Sequence, residues 1–267
     1  GPAALGDVVR MMWLTPQMDR LFVEGASHRR RFLDRLVMTL TPSHGAEVSA
    51  YERVMRERNR LMVDGQWDPA WVGALEGRMA AHGVAIAASR LDGIARLSAG
   101  MTESTGDFPT GVLDVAGVLE DQLKSRSALE VEDMFRTRLG ANRDRDAMAG
   151  RALEGPHGSD MRVQHGQTGR AAELCSTGEQ KALLIGITLA SARLVAAEAA
   201  APILLLDEVA AHLDERRRVA LFGELDDLGS QCWVTGTDPA LFEAIGCRAA
   251  FYHVAAGSVS PATGRGA

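Results

Sequence analysis

Aromatic residues make up only 5% of this 267-residue chain, which leaves little material for platforms that stack bases or sugars. Cysteine is scarce too. Cys175, Cys232 and Cys247 are odd in number, stand at unrelated spacings and include no CxxC pair. That pattern argues against a disulfide framework or a zinc site and fits a reducing compartment, so a cytoplasmic location is expected. A basic surplus is missing as well: the formal net charge is −6, against the balance usual for a dedicated nucleic-acid binder. The longest apolar stretch, Ala182 to Leu206, is interrupted by Arg193, Glu198 and Pro202, so it fails as a membrane span and no membrane partner is expected. The start of the chain lacks the basic residues and short apolar stretch of a secretory signal. It does not begin with Met, and Gly1-Pro2 reads as the interior of a longer protein.

What is present is ordinary globular material, 46% hydrophobic and 24% charged, in a length that suits one large domain or two modest ones. Val8 to Leu14 reads as a short buried strand stopped by Thr15-Pro16. Three helical stretches follow. Phe32, Leu33, Leu36, Val37 and Leu40 form the first apolar stripe, and Tyr51, Val54, Met55, Leu61 and Met62 the second. The third starts near Trp71 and runs through Leu97, with Leu75, Met79, His82 and Ile86 on one side. Gly100 to Gly117 reads as loops and short edge strands, and Leu119 to Arg145 as one polar helix. From Arg151 the texture changes to short strands, glycine turns and one very apolar helix. The economical reading is an α/β domain with a helical insertion.

The strongest chemical signal is Pro202-Ile203-Leu204-Leu205-Leu206-Asp207-Glu208. Four aliphatic residues in a row form a strand buried on both faces, as in a parallel sheet. Its C-terminal end carries two carboxylates, and ligands bind at that end of open α/β sheets. One acid there can hold Mg²⁺ and a second can orient or deprotonate an attacking water. A core strand that simply meets solvent looks the same. The second signal is Cys175-Ser176-Thr177-Gly178-Glu179-Gln180-Lys181, in which Ser176 and Glu179 have the spacing of a capping box at a helix start. The free N–H groups of such an end attract phosphate, although most capped buried helices bind nothing. Two basic clusters, His28 to Arg31 and Arg53, Arg56, Arg58 and Arg60, suit solvated helix faces laced with Glu47, Glu52 and Glu57.

Taken together, the capped Ser-x-Gly-Glu helix, the aliphatic strand ending Asp-Glu and Ala211-His212-Leu213-Asp214 occur in a specific order. They resemble the signature motif, Walker B strand and D-loop of ABC-type ATPases. Thr177 stands where the related SMC heads have glycine, a departure shared by the RecF family. Further stretches narrow the resemblance to that family. Trp13-Leu14-Thr15-Pro16-Gln17 is similar to its strand and Q-loop. Gly25 to Asp34, with Arg29-Arg30-Arg31 ahead of Leu33-Asp34, is similar to its entry to the helical lobe. Gly155-Pro156-His157-Gly158-Ser159-Asp160 is similar to its Gly-Pro-His-Arg-x-Asp loop, here without the Arg. Trp233 to Asp238 looks like the strand that ends in the switch position, where Thr237 replaces the histidine of transporter ATPases.

The resemblance implies an ABC-type ATPase head, a P-loop NTPase fold, with an inserted helical lobe. The expected division is ATPase residues 1–26, helical lobe 27–145 and ATPase residues 146–267. It implies ATP and Mg²⁺ as cofactors, with Asp207 and Gln17 at the metal and Glu208 acting on the water. Ser176, Thr177, Gly178, Glu179, Asp214 and Thr237 would lie around nucleotide and dimer seam. It also implies an ATP-dependent homodimer that acts on double-stranded DNA at single-strand gaps, with RecO and RecR, in loading RecA. Arg29, Arg30 and Arg31 are the candidate DNA contacts. His157 has the ordinary reading of a packing residue, which the resemblance does not replace with a defined role. No G-x-x-x-x-G-K-[ST] loop occurs in the chain, so by itself it is expected to bind ATP poorly and to leave apolar sheet surface uncovered. Two other readings stay open: a transporter ATPase subunit, which Thr237 and the long helical block oppose, and a non-catalytic interaction module, which the intact Asp207-Glu208 pair opposes.

Overall fold

A computed structural model describes residues 9–65, 67–102, 107–211 and 213–262. Three short strands form its parallel sheet: β1 (Met11–Leu14), β4 (Ile203–Leu206) and β5 (Cys232–Val234), in the order β1-β4-β5. Trp13 stands beside Leu205 and Leu205 beside Trp233. Both outer strands are shorter than expected. Val8 lies outside the described residues, and β5 ends at Val234, so Thr235 falls just past it.

Side chains alternate across this sheet as the period of two requires. Met12, Leu14, Leu204 and Leu206 are buried. Met11, Trp13, Leu205 and Trp233 form an apolar row on the opposite face, 36% to 53% exposed. Both faces of a parallel sheet are normally covered, and among the described residues this one is open.

Against the buried face packs the long helix α7 (Thr177–Glu198). By length and composition it could cross a membrane, but 78% of its apolar window is buried inside the protein, as befits a core helix. Helix α8 (Glu215–Asp227) follows β4, and its Leu221, Phe222 and Leu225 enter the same core. A hairpin of β6 (Tyr252–Ala255) and β7 (Ser258–Pro261) turns at Ala256-Gly257, both at positive φ.

The region between β1 and α7 is mainly helical: α1 (Ala26–Leu40), α2 (His44–Asp64), α3 (Pro69–Thr102), α4 (Val118–Leu123), α5 (Ala128–Ala141) and α6 (Arg143–Ala149). The antiparallel pair β2 (Gly111–Ala116) and β3 (Asp160–His165) runs beside it. The single polar helix expected from Leu119 to Arg145 is three helices. Ser127 interrupts it because its side chain accepts the Glu130 N–H while the Glu130 carboxylate accepts the Ser127 N–H, a complete capping box that starts α5 afresh.

Two apolar cores result. One joins the parallel sheet, α7 and α8 to α1, β2 and β3; the other joins α2, α4, α5 and the first part of α3. The 34 residues of α3 rise about 50 Å at 1.5 Å per residue, enough to serve both. Val72, Leu75 and Met79 lie in the second core, Ile94, Leu97 and Met101 in the first. Where the cores meet, buried Arg90 of α3 donates to both Asp34 oxygens of α1 (2.8 and 3.0 Å) and to the Pro156 carbonyl (2.7 Å). Burial opposes the charge of Asp34, but His44 and Arg90 more than offset it and hold its carboxyl below the ordinary range.

The Gly155-Pro156-His157 loop is built into this junction. Gly155 has φ +143, and a Cβ there would stand 2.2 Å from the Tyr51 hydroxyl, so only glycine fits. His157 Nε2 lies 3.1 Å from the Ala152 carbonyl, so it must donate, and Nδ1 accepts from the Tyr51 hydroxyl at 2.8 Å. His157 is thus a packing residue that ties the loop to α2. Burial pushes its pKa below the usual histidine value, the Ala152 carbonyl opposes this, and the Arg30 charge adds to it. The unfolded chain therefore takes up this proton more readily than the folded one. Stability from the neutral ring is complete above about pH 6.5 and is lost as pH falls through the lower folded value. Denaturant unfolding at about pH 7.5 and about pH 5.5 is expected to show a smaller pH loss for H157N than for the parent. Equal losses would show that the ring is not held neutral.

Candidate functional site

Parallel β1, β4 and β5 bring their C-terminal ends to one edge. Past β1, Thr15-Pro16 turns the chain into a 3₁₀ turn, Pro16–Arg20, that carries Gln17 with its side chain exposed. Past β4 come Asp207, exposed, and Glu208, half-buried. The Asp207 N–H donates to the Leu14 carbonyl (2.9 Å), and the Thr235 N–H to the Leu206 carbonyl (3.0 Å), which locks the three strand ends together. Gln17 and the acidic pair therefore follow strand ends on the same edge, and neither carboxylate is buried in the core.

Thr235 organises this edge and was not among the expected site residues. Its hydroxyl donates to Asp207 Oδ1 at 2.5 Å and accepts the Glu208 N–H at 3.2 Å. Thr237, the expected switch residue, lies two positions further along an exposed loop, and no hydrogen bond joins it to either acid among the described residues. Strand direction explains the difference: β5 ends level with Leu206, so the next residue meets Asp207. The signal available in the sequence was the hydroxyl one residue past an apolar strand.

Glu208 has φ +52, a left-handed conformation that costs a non-glycine residue roughly 1–2 kcal/mol. Its surroundings hold it there. The N–H is taken by Thr235, and the carbonyl accepts from both the Ala211 N–H (3.2 Å) and Lys181 Nζ (3.1 Å).

The expected capping box at Ser176 is complete. Ser176 Oγ accepts the Glu179 N–H (3.3 Å), while Glu179 Oε2 accepts the Ser176 N–H and hydroxyl (both 2.8 Å). The Ser176 N–H, then its hydroxyl, hold the Glu179 carboxyl below its ordinary range. Ser176 and Thr177 are exposed, and a Cβ at Gly178 would meet nothing within 4 Å. The protein's own packing therefore does not demand glycine at 178.

Asp214 caps α8, accepting the Arg217 N–H at 2.9 Å, and is exposed. His212 of the same motif lies outside the described residues. Of the three candidate DNA contacts, two have protein partners. Arg29 grips Asp160 of β3 through two nitrogens (2.8 and 2.7 Å), and Arg30 donates to the Ser159 carbonyl (2.6 Å). Arg31 is exposed and has no ion pair among the described residues. In the second basic cluster Arg56 pairs with Glu52 at 3.4 Å in solvent, as expected, but Arg58 is fully buried. It lies four residues from Val54 and seven from Tyr51, on the apolar stripe rather than the solvated face.

No protein-family model matches the chain. Curated proteins named DNA replication and repair protein RecF do. That of Rhizobium rhizogenes strain K84 is 51% identical over 260 residues, covering 96% of this chain and 69% of its own length. That of Mesorhizobium japonicum is 51% identical over 257 residues (95% and 68%), and that of Brucella abortus strain 2308 is 51% identical over 258 (95% and 67%). Among solved structures, the recombination mediator protein RecF-ATPrS in the RecFOR pathway superposes with a TM-score of 0.79 at 18% identity, over 98% of this chain and 70% of that one. The RecF-ATP structure gives 0.75 at 18% identity. The α/β ABC-type ATPase fold follows from that superposition, and the identity over nearly the whole chain fixes the rest: this chain belongs to the RecF family of DNA replication and repair proteins.

Proposed function

We propose that this chain supplies most of an ATP-driven recombination mediator that works as a homodimer on DNA. The single observation that carries the reading is the shared edge of β1, β4 and β5, which Gln17 and Asp207, both exposed, and half-buried Glu208 follow directly. Asp207 has one oxygen engaged by Thr235 and its other oxygen outside that bond. Mg²⁺ suits such a place, since it is commonly bound through one or two carboxylates with phosphate oxygens and water completing the octahedron. No cluster of three or more His, Cys, Asp or Glu that could hold a metal occurs among the described residues. Asp207 would hold the ion together with phosphate oxygens and water. When bound it neutralises charge on the β- and γ-phosphates.

The residues of the chain divide the remaining work. Gln17 and Asp207 hold the metal side, and Glu208 orients the attacking water and accepts its proton. Ser176, Thr177, Gly178 and Glu179 present a helix N-terminus to the γ-phosphate held by a second subunit. Asp214 lies at the dimer seam, and Thr237 is the switch residue on the exposed loop after β5. The helical lobe, residues 27–145, is the arm for DNA and for RecO and RecR, and Arg31 is one of its exposed cations. The open row Met11, Trp13, Leu205 and Trp233 is where the remainder of a family-length protein packs. The setting is cytoplasmic gap repair and the loading of RecA.

The experiment is hydrolysis of ATP by the family-length protein with and without gapped duplex DNA, alongside sedimentation with and without nucleotide. Faster turnover on DNA and a nucleotide-dependent dimer are expected. Turnover indifferent to DNA, by a protein that stays monomeric with ATP, would overturn the proposal.

A further inference from the structure

Lys181 is a buried cation whose charge the mechanism above does not use. The residue is 6% exposed on a helix whose other buried residues, Gln180 apart, are aliphatic or small. Burying an ammonium is costly unless it is paired and hydrogen-bonded, and a leucine or methionine fills comparable space without that cost. Its nitrogen reaches two oxygens from separate parts of the chain. One is the backbone carbonyl of Glu208 at 3.1 Å, and the other is Asp19 Oδ2 at 3.3 Å. Asp19 belongs to the 3₁₀ turn that carries Gln17, and Lys181 itself lies five residues along from the Ser176 cap.

One nitrogen thus joins the start of α7, the turn after β1 and the turn after β4. Its carbonyl partner belongs to the residue held at φ +52. Such a conformation persists only where neighbouring groups over-determine it. Thr235 fixes the N–H of Glu208, and Lys181 with the Ala211 N–H fixes its carbonyl. The direction of the Glu208 side chain follows from that pinned backbone.

We propose that Lys181 is a positioning residue that couples the seating of the Ser176 end of α7 to the orientation of Glu208, with Asp19 as its anchor on the Gln17 turn. The inference rests on the functional reading above. When the Ser176 end engages a second subunit's nucleotide, any shift of α7 moves Lys181, and Lys181 carries it to the Glu208 carbonyl.

The test uses K181M, K181R and D19N in the family-length protein, with E208Q alongside. K181M is expected to lower DNA-stimulated turnover about 10- to 100-fold, the scale of misplacing a reacting group by about an ångström, with little change in the Michaelis constant for ATP. K181R, which keeps charge and donors, recovers a good part of the loss, and D19N gives an intermediate one. In nucleotide-free protein the Ala211 amide exchanges faster in K181M, while amides in the middle of α7 keep parental rates. Parental turnover and Ala211 exchange in a folded K181M would overturn the proposal. So would equal losses in K181M and K181R with a raised Michaelis constant, which describe a plain packing defect. If K181M does not fold, D19N and K181R decide by the same two readouts. Should E208Q retain full turnover, the assigned role of Glu208 fails, while Ala211 exchange still tests the backbone link.

Discussion

E208Q in the family-length protein is expected to cut ATP turnover about 100-fold or more, within the range of general-base contributions. A 100-fold loss corresponds to about 2.7 kcal/mol of barrier. The amide has nearly the same shape as the carboxylate but cannot accept a proton at neutral pH. Every contact described for Glu208 is made by its backbone: the N–H to Thr235 and the carbonyl to Lys181 and Ala211. The substitution therefore leaves the turn after β4 intact, and nucleotide binding is retained. A dimer that forms with ATP and cannot complete hydrolysis persists, so a longer dimer lifetime is the second expected reading. Single-turnover hydrolysis and sedimentation measure the two effects. Parental turnover, or lost turnover with lost nucleotide binding, counts against the role.

R58M is expected to destabilise the helical part by about 3–5 kcal/mol, the usual result of removing one partner from a buried charge network. Arg58 of α2 is fully buried. Its Nε lies 3.1 Å from Glu76 of α3, Nη1 lies 2.6 Å from Asp146 of α6, and Nη2 donates to the Leu139 carbonyl of α5 at 2.8 Å. Four helices meet on one guanidinium. Methionine fills the stem but leaves the Asp146 carboxylate without its cation and the Leu139 carbonyl without that donor. Glu76 fares better because Arg143 also donates to it. The second substitution D146N removes the stranded charge, so R58M/D146N is expected to be less destabilised than R58M. Urea unfolding of the three proteins measures this. A loss under about 1 kcal/mol in R58M, typical of exposed pairs, would show that the network is not structural.

The apolar stripes of α1, α2 and α3 were legible because a 3.6-residue period survives wherever one helix face is buried. Arg58 shows the limit of such reading. Its position four residues after Val54 put it on the buried face of α2, yet the charges around it suggested a solvated one. What buries it is a set of acids 18 and 88 residues away, and no local pattern reports those. Ser127 marks a different failure. Its capping box with Glu130 was written in the sequence in the same form as Ser176 with Glu179, but the polar stretch around it masked the break. The candidate site divides in the same way. Asp207, Glu208 and the Ser176 cap were readable as motifs, because two acids closing an aliphatic run and a Ser-x-x-Glu spacing each show within a few residues. Thr235 and Lys181 were not, since their contacts lie 27 or 28 residues away, and 162 for Lys181 with Asp19, and depend on strand register and on how α7 lies against the sheet.

By itself the sequence showed the apolar helix stripes, the acid pair at a strand end and the capped helix start, because periodicity and spacing act over a few residues, and the order of its motifs carried the family resemblance. Tertiary structure alone decided that β1, β4 and β5 end level, that Thr235 rather than Thr237 meets Asp207, that Arg29 and Arg30 face protein, and that Lys181 touches the turn after β4. Those outcomes depend on which distant segments share a core, and burial with parallel pairing sets that only once the whole chain is folded.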